Sequence, residues 1–216
     1  MIPKKLHYIW LGNSKRELNE RCIDSYFKYM SAFSIKEWNE SNIDVSLFSD
    51  TLRKYYETYY DLKKYAFCSD IARLYILKNE GGIYVDTDVE FIKSLPEQFL
   101  ECKGFICRNY PSQEICNGSL WGCEKDDKFV TACIRWFDEN LLKFGKNYGN
   151  KWIFNKILNR FFTLFGYDKE NKVTQNILNY IIYSTDYFNP KNFLSGELRI
   201  NENTIAIHHY ERSWRC

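Results

Sequence analysis

The chain has 216 residues, 45% of them hydrophobic and 18% aromatic, with 30 Lys and Arg against 28 Asp and Glu for a net charge of +2. That size supports one domain with a substantial core, and that composition excludes a disordered chain. Basic residues are dispersed without stacking aromatics between them, which excludes nucleic acid as a partner, and the eight cysteines lack C-x-x-C spacing, which argues against a zinc site and for free, packed thiols.

In chain order, Leu6 to Leu11 predicts a first strand closed by Gly12-Asn13. The apolar run is too short for a secretory signal, and no later stretch approaches the roughly 18 apolar residues of a membrane span. Trp10, at the strand's end, reads as a core aromatic or as a stacking surface. Residues 16–32 have helical spacing through Leu18, Cys22, Tyr26 and Tyr29. Phe33 to Trp38 predicts a second strand, and the tyrosine-rich segment 52–62 predicts a helix whose rings suit either the core or an acceptor surface.

The segment AFCSDIARLYILKNEGGIYVDTDVE, residues 66–90, carries most of the chemistry. Its first half is helical, with Ser69 and Asp70 polar enough to begin or flank the helix and Gly81-Gly82 to end it. Asp70 and Arg73, three apart, are neighbours on one face, either as an ordinary ion pair or as a ligand-binding pair. Ile83-Tyr84-Val85 then reads as a buried strand ending in Asp86-Thr87-Asp88. Two carboxylates at i and i+2 off a strand end are either a solvated turn or ligands for a hard divalent cation, Mn²⁺ or Mg²⁺.

Beyond it, Pro96 interrupts residues 91–99, residues 104–107 predict a strand, and residues 115–122 a strand–turn–strand with Asn117-Gly118 as the hairpin signal or a ligand contact. Residues 126–142 and 152–164 predict amphipathic helices around a polar loop at 145–150, and a further helix is expected over 174–182. A last strand at 204–207 runs into His208-His209-Tyr210-Glu211-Arg212-Ser213-Trp214. Adjacent histidines are often exposed and mute, yet an imidazole following a strand can also be a nitrogen ligand that suits Mn²⁺ better than Ca²⁺. The alternation of strands and helices is that of an α/β fold with a mainly parallel central sheet and ligands at the strands' carboxyl ends, where Asp86 and Asp88 fall.

SDIARLYILKNEGGIYVDTDVE resembles the core of the DXD-motif glycosyltransferases of carbohydrate-active family 32, which are of capsular-polysaccharide and mannosyltransferase type and similar to the catalytic core of the clostridial glucosylating toxins. PKKLHYIWLG, WNESN and IAIHHYERSW resemble the same family's first strand, the segment after its second strand and its last loop. The resemblance implies a GT-A-like nucleotide-sugar-binding fold, flanked by helices, with residues 1–216 as a single glycosyltransferase catalytic domain. It further implies metal-dependent, retaining transfer of a sugar from a UDP- or GDP-sugar to a saccharide, free or lipid-linked, by a cytoplasmic enzyme at the inner face of a membrane. Asp86 and Asp88 would be the catalytic metal ligands for Mn²⁺ or Mg²⁺, with His208 or His209 completing the shell. Trp10 would lie beside the base, Asp70, Arg73 and Asn117 against the ribose or donor sugar, and Ser213 and Trp214 against the phosphates. Segment 174–182 lacks the family's Gly-Pro pair, so the acceptor-side resemblance stops there. Two other readings are a non-catalytic carbohydrate- or nucleotide-binding domain, and a haloacid-dehalogenase-type phosphohydrolase with Asp86 as nucleophile. The second expects Thr or Val where this chain has Glu90.

Overall fold

The computed structural model describes residues 1–12, 14–141 and 152–211. Ser213, Trp214 and the loop at 145–150 lie outside the described residues. The elements are β1 (Lys5–Ile9), α1 (Glu17–Tyr29), β2 (Ser34–Trp38), α2 (Asp50–Asp61), α3 (Tyr65–Glu80), β3 (Gly82–Val85) and β4 (Val89–Phe91). They continue with β5 (Gly104–Arg108), β6 (Ile115–Cys123), α4 (Lys128–Asn140), α5 (Trp152–Leu164), β7 (Gln175–Ile177), β8 (Tyr180–Ile182), α6 (Thr185–Phe188) and β9 (Ala206–His208).

The main sheet has the order β2-β1-β3-β6-β5-β8-β7. β1 runs parallel to β2 and β3, and β5 parallel to β8, while β6 opposes β3 and β5, and β7 opposes β8. Five of the seven strands therefore point one way, and the ends of β1, β3 and β5 open on one edge together with the start of β6. Alternation along each strand builds two core layers. Ile83 and Val85 face Tyr26 and Phe91 on one side, and Tyr84 faces Ile71 and Leu74 on the other.

Local signals place the helices. Ser49 and Asp127 accept from the amides of Leu52 and Val130, capping α2 and α4. Gly81, at φ 62°, ends α3 with its N–H on the Leu77 carbonyl at 2.9 Å. α3 is buried along most of its length because it lies between the sheet and both α2 and α4. It starts at Tyr65, a turn before Ser69, so Asp70 and Arg73 stand inside the helix, not at its start.

Two expectations are corrected. Residues 174–182 form a hairpin, not a helix: Leu178 and Asn179 both adopt left-handed backbone (φ 53° and 70°), the requirement of a tight primed turn, and β8 docks along β5. Apolar spacing around Ile177, Ile181 and Ile182 fits either period, and pairing to the sheet decided it. Residues 115–122 are one continuous buried strand, β6, and the chain reverses at 109–114 instead. One pairing had no signal in the sequence: β4 and β9 form a separate two-stranded sheet, with Val89 opposite His208, which lays the C-terminal strand beside the acidic turn after β3.

Candidate functional site

Arg73 is the hub of the buried half of the site. It is 3% exposed and its guanidinium lies 4.4 Å from the Tyr84 ring centroid. It donates to the Asn117 carbonyl (2.9 Å) and to Asp86 Oδ1 (3.2 Å), and sits 3.3 Å from Asp70 Oδ1. Asn117 Nδ2 donates to the same Asp70 oxygen at 3.1 Å. Burial opposes the charge on Arg73, and the surrounding Tyr84, Asp86 and Asp70 more than restore it.

Asp86 receives a second bond from the Tyr84 hydroxyl at 2.8 Å, while its backbone is tied to Gly118 O (2.9 Å) and to the Tyr26 hydroxyl (2.8 Å). A Cβ on Gly118 would stand 2.1 Å from Asp86 Oδ2, so this position of β6 must be glycine for the carboxylate to lie where it does. The Asn-Gly pair is thus a close-approach device, not a turn.

Asp88 is set by the C-terminal segment. Its Oδ2 accepts from the Glu211 amide (2.9 Å), its carbonyl from the His209 amide (2.8 Å), and its Oδ1 lies 3.3 Å from His208 Nε2. His208 is buried and stacked on Tyr210 with ring centroids 4.0 Å apart. Burial by itself lowers the His208 pKa, and the adjacent Asp88 carboxylate overrides it, pushing it up to about 10. Ligand atoms of Asp86, Asp88 and His208 lie within 4.8 Å of one another, a group that could hold a metal ion.

His209 is not in that group. Its Nε2 turns to Glu90 Oε2 at 2.8 Å, a carboxylate that also meets Arg21 at 3.4 Å. Side chains alternate across a strand, so successive histidines leaving β9 face opposite ways. The group opens into a cavity of about 650 Å³ lined by Trp10, Arg73, Asp86, Asp88, Asn117 and His208. Lys15 Nζ lies 5.5 Å from the Trp10 ring centroid. Asp70 stands behind this wall, 7% exposed, where it holds Arg73 and Asn117 in place rather than facing the cavity. Sequence reasoning missed Gly118, Tyr26, Asn19 and Glu211. Only the Asn-Gly pair was visible, and it was open to the hairpin reading.

The family of glycosyltransferase sugar-binding regions containing the DXD motif matches residues 16–105. An uncharacterized glycosyltransferase of Acanthamoeba polyphaga mimivirus is 33% identical over 128 residues, covering 56% of this chain and 49% of that protein. Inositol phosphoceramide mannosyltransferase 3 of Schizosaccharomyces pombe is 28% identical over 152 residues, covering 68% of this chain and 39% of that protein. The chain thus spans about half or less of the length of these relatives. Among solved structures, the PaToxG glycosyltransferase superposes with a TM-score of 0.60 at 22% identity, over 76% of this chain and 72% of its own. The UDP-bound glycosyltransferase domain of the YGT toxin superposes with a TM-score of 0.50 at 12% identity, over 78% and 69%. These likenesses are of fold: α/β, of the GT-A kind.

Proposed function

We propose that this chain, whose residues 16–105 match the DXD-containing glycosyltransferase sugar-binding family and whose fold is of the GT-A kind, transfers a sugar from a nucleoside diphosphate sugar to an acceptor hydroxyl with a divalent cation at Asp86, Asp88 and His208. The observation that carries this reading is the convergence of these three groups, two from the turn after β3 and one from β9, on one wall of a cavity large enough for a nucleotide sugar.

Two carboxylates and an imidazole suit Mn²⁺, and the carboxylates suit Mg²⁺. Such a cation supplies Lewis-acid neutralisation of the charge that grows on the departing diphosphate. The chain's own residues do the rest. Trp10 presents an indole face to the base. Asp70 and Asn117 lock Arg73, and Arg73 with Tyr84 fixes Asp86, so the ligand geometry exists before the donor arrives. Arg73 and Asn117, at the cavity's depth, face the donor sugar and its hydroxyls. The family the chain resembles would assign Ser213 and Trp214 to the phosphates. The acceptor enters past Phe193 and Leu194, which line the cavity.

Retention at the anomeric carbon and a UDP- or GDP-linked donor follow from the family the chain resembles. A hydroxyl acceptor borne on a lipid fits the name of the fission-yeast relative, an inositol phosphoceramide mannosyltransferase. Among the described residues no helix is long and apolar enough to cross a membrane.

A thermal-shift panel of nucleoside diphosphates with Mn²⁺, Mg²⁺ or EDTA tests the reading. A ligand at about 100 times its dissociation constant stabilises a fold by about 2.7 kcal/mol. Stabilisation by UDP or GDP that needs metal and disappears in Asp88→Ala is the expected result. Nucleotide binding with metal but no turnover would favour the binding-domain reading. Hydrolysis of phosphate esters lost in Asp86→Asn would favour a phosphohydrolase.

A further inference from the structure

Asn19 lies in the first turn of α1, 2% exposed, remote in sequence from Asp86, Asp88 and His208. Its Oδ1 accepts from the Arg16 amide at 3.3 Å, fastening it to its own helix start. Its Nδ2 donates to two other segments at once: to the carbonyl of Thr87, the middle residue of the Asp86-Thr87-Asp88 turn (3.3 Å), and to Glu211 Oε2 (2.9 Å). The other oxygen of Glu211 receives Arg16 Nη1 at 3.2 Å, and the Glu211 amide is the donor that fixes Asp88 Oδ2 at 2.9 Å.

One buried amide therefore ties the acidic turn to the C-terminal segment that supplies His208. Arg16 offsets the Glu211 charge, which would otherwise stand as one more carboxylate beside Asp86 and Asp88. The two donor hydrogens of Asn19 meet a carbonyl and a carboxylate, and its oxygen meets an N–H, so a group of the same shape with a different donor pattern fails.

We propose that Asn19, Glu211 and Arg16 form a latch that positions Asp88 and His208 for the cation, with Asn19 as the positioning residue on which the latch turns. The inference rests on the metal-site reading above. Partners that orient ligands in this way typically contribute about 10- to 100-fold in metal affinity.

The test is the Mn²⁺ dissociation constant, read by electron paramagnetic resonance of free Mn²⁺ on the whole chain, in the presence and absence of UDP and of GDP. It compares wild type with Asn19→Asp, Glu211→Gln, their double variant and Asp88→Ala. Asn19→Asp keeps the volume but sets a carboxylate against the Thr87 carbonyl and Glu211, and is expected to weaken Mn²⁺ about 10- to 100-fold. Adding Glu211→Gln gives the new carboxylate at position 19 a donor again, so the double variant should recover part of the loss, which a merely structural defect would not. Where Asn19→Asp folds poorly, Arg16→Ala carries the same comparison from a more exposed position, with a shift of about threefold. Equal Mn²⁺ affinity in wild type and the latch variants, alongside loss in Asp88→Ala, would overturn the latch and leave the metal site standing. No Mn²⁺ binding by wild type in any condition would overturn both.

Discussion

The two carboxylates of the Asp86-Thr87-Asp88 turn are only two residues apart and are held in opposite ways. Asp86 is set from within the fold: Arg73 of α3, Tyr84 of β3 and the bare backbone of Gly118 in β6 leave it one place to lie. Asp88 is set from outside the main sheet, by a C-terminal segment that reaches it through β4–β9 pairing and two amide hydrogen bonds. The difference teaches that Asp86 shares its supports with the hydrophobic core, so that its loss should cost stability. Asp88 is held by a segment outside the main sheet, so on the proposed metal-site reading its loss should cost binding more than stability.

The largest effect should come from breaking the inner support. Arg73→Met leaves the buried Asp70 and the half-buried Asp86 without their shared cation, and removing one partner of a buried pair costs about 3–5 kcal/mol. Urea unfolding should show that loss, together with loss of any metal-dependent nucleotide shift. A stability near wild type would mean that Asp86 is not held as described.

Acid should strain the same inner layer. His7 donates from Nε2 to the Gly81 carbonyl (2.9 Å), and its Nδ1 accepts from the Trp38 indole (3.1 Å), so the fold holds it neutral. Burial lowers its pKa from 6.5 to about 4. The folded value lies below the unfolded one, so the contribution is whole above pH 6.5 and is lost as pH falls from 6.5 towards 4. At roughly 1.36 kcal/mol per pKa unit that is about 3 kcal/mol, read as a falling urea midpoint that His7→Gln should flatten.

Gly118→Ala sharpens the contrast. Its Cβ meets Asp86 Oδ2 at 2.1 Å, and overpacking of this kind costs about 1–3 kcal/mol. Mn²⁺ affinity should fall through Asp86 while the exchange protection of the β4–β9 amides stays unchanged. On the outer side, His208→Ala should weaken Mn²⁺ at least about tenfold, whereas His209→Ala, whose ring serves Glu90, should move it by less than about threefold. A larger effect at His209 would return it to the metal shell. Mn²⁺ titration of the pair separates the two outcomes and is the smallest effect sought.

Much of this was legible beforehand. Gly81 marked the end of α3 because left-handed backbone favours glycine, Ile83-Tyr84-Val85 marked a buried strand, and Asp86 and Asp88 followed at its carboxyl end. These are properties of neighbours in the chain, which periodicity and turn chemistry report directly. The Arg73–Asp70 pair was visible as an i,i+3 spacing, but its place behind the cavity wall depended on α3 being enclosed by α2, α4 and the sheet.

What lay beyond the sequence was every relation between segments far apart in it. Gln175 to Ile182 satisfied a helical period, and only the edge of β5 made it a hairpin. Asn117-Gly118 had the composition of a turn, and only the Asp86 carboxylate across the sheet made its glycine a requirement of space. His208 and His209 were equivalent as letters, and the β9 pleat sent one to Asp88 and the other to Glu90. Asn19 carried a local signal only for capping its own helix, because its two other partners meet it only when α1, the acidic turn and the C-terminal segment are packed. Local chemistry determined the donors and acceptors this chain possesses. Tertiary packing alone decided which of them meet, since hydrogen bonds and ligand sets depend on distances of a few ångströms that no spacing along the chain encodes.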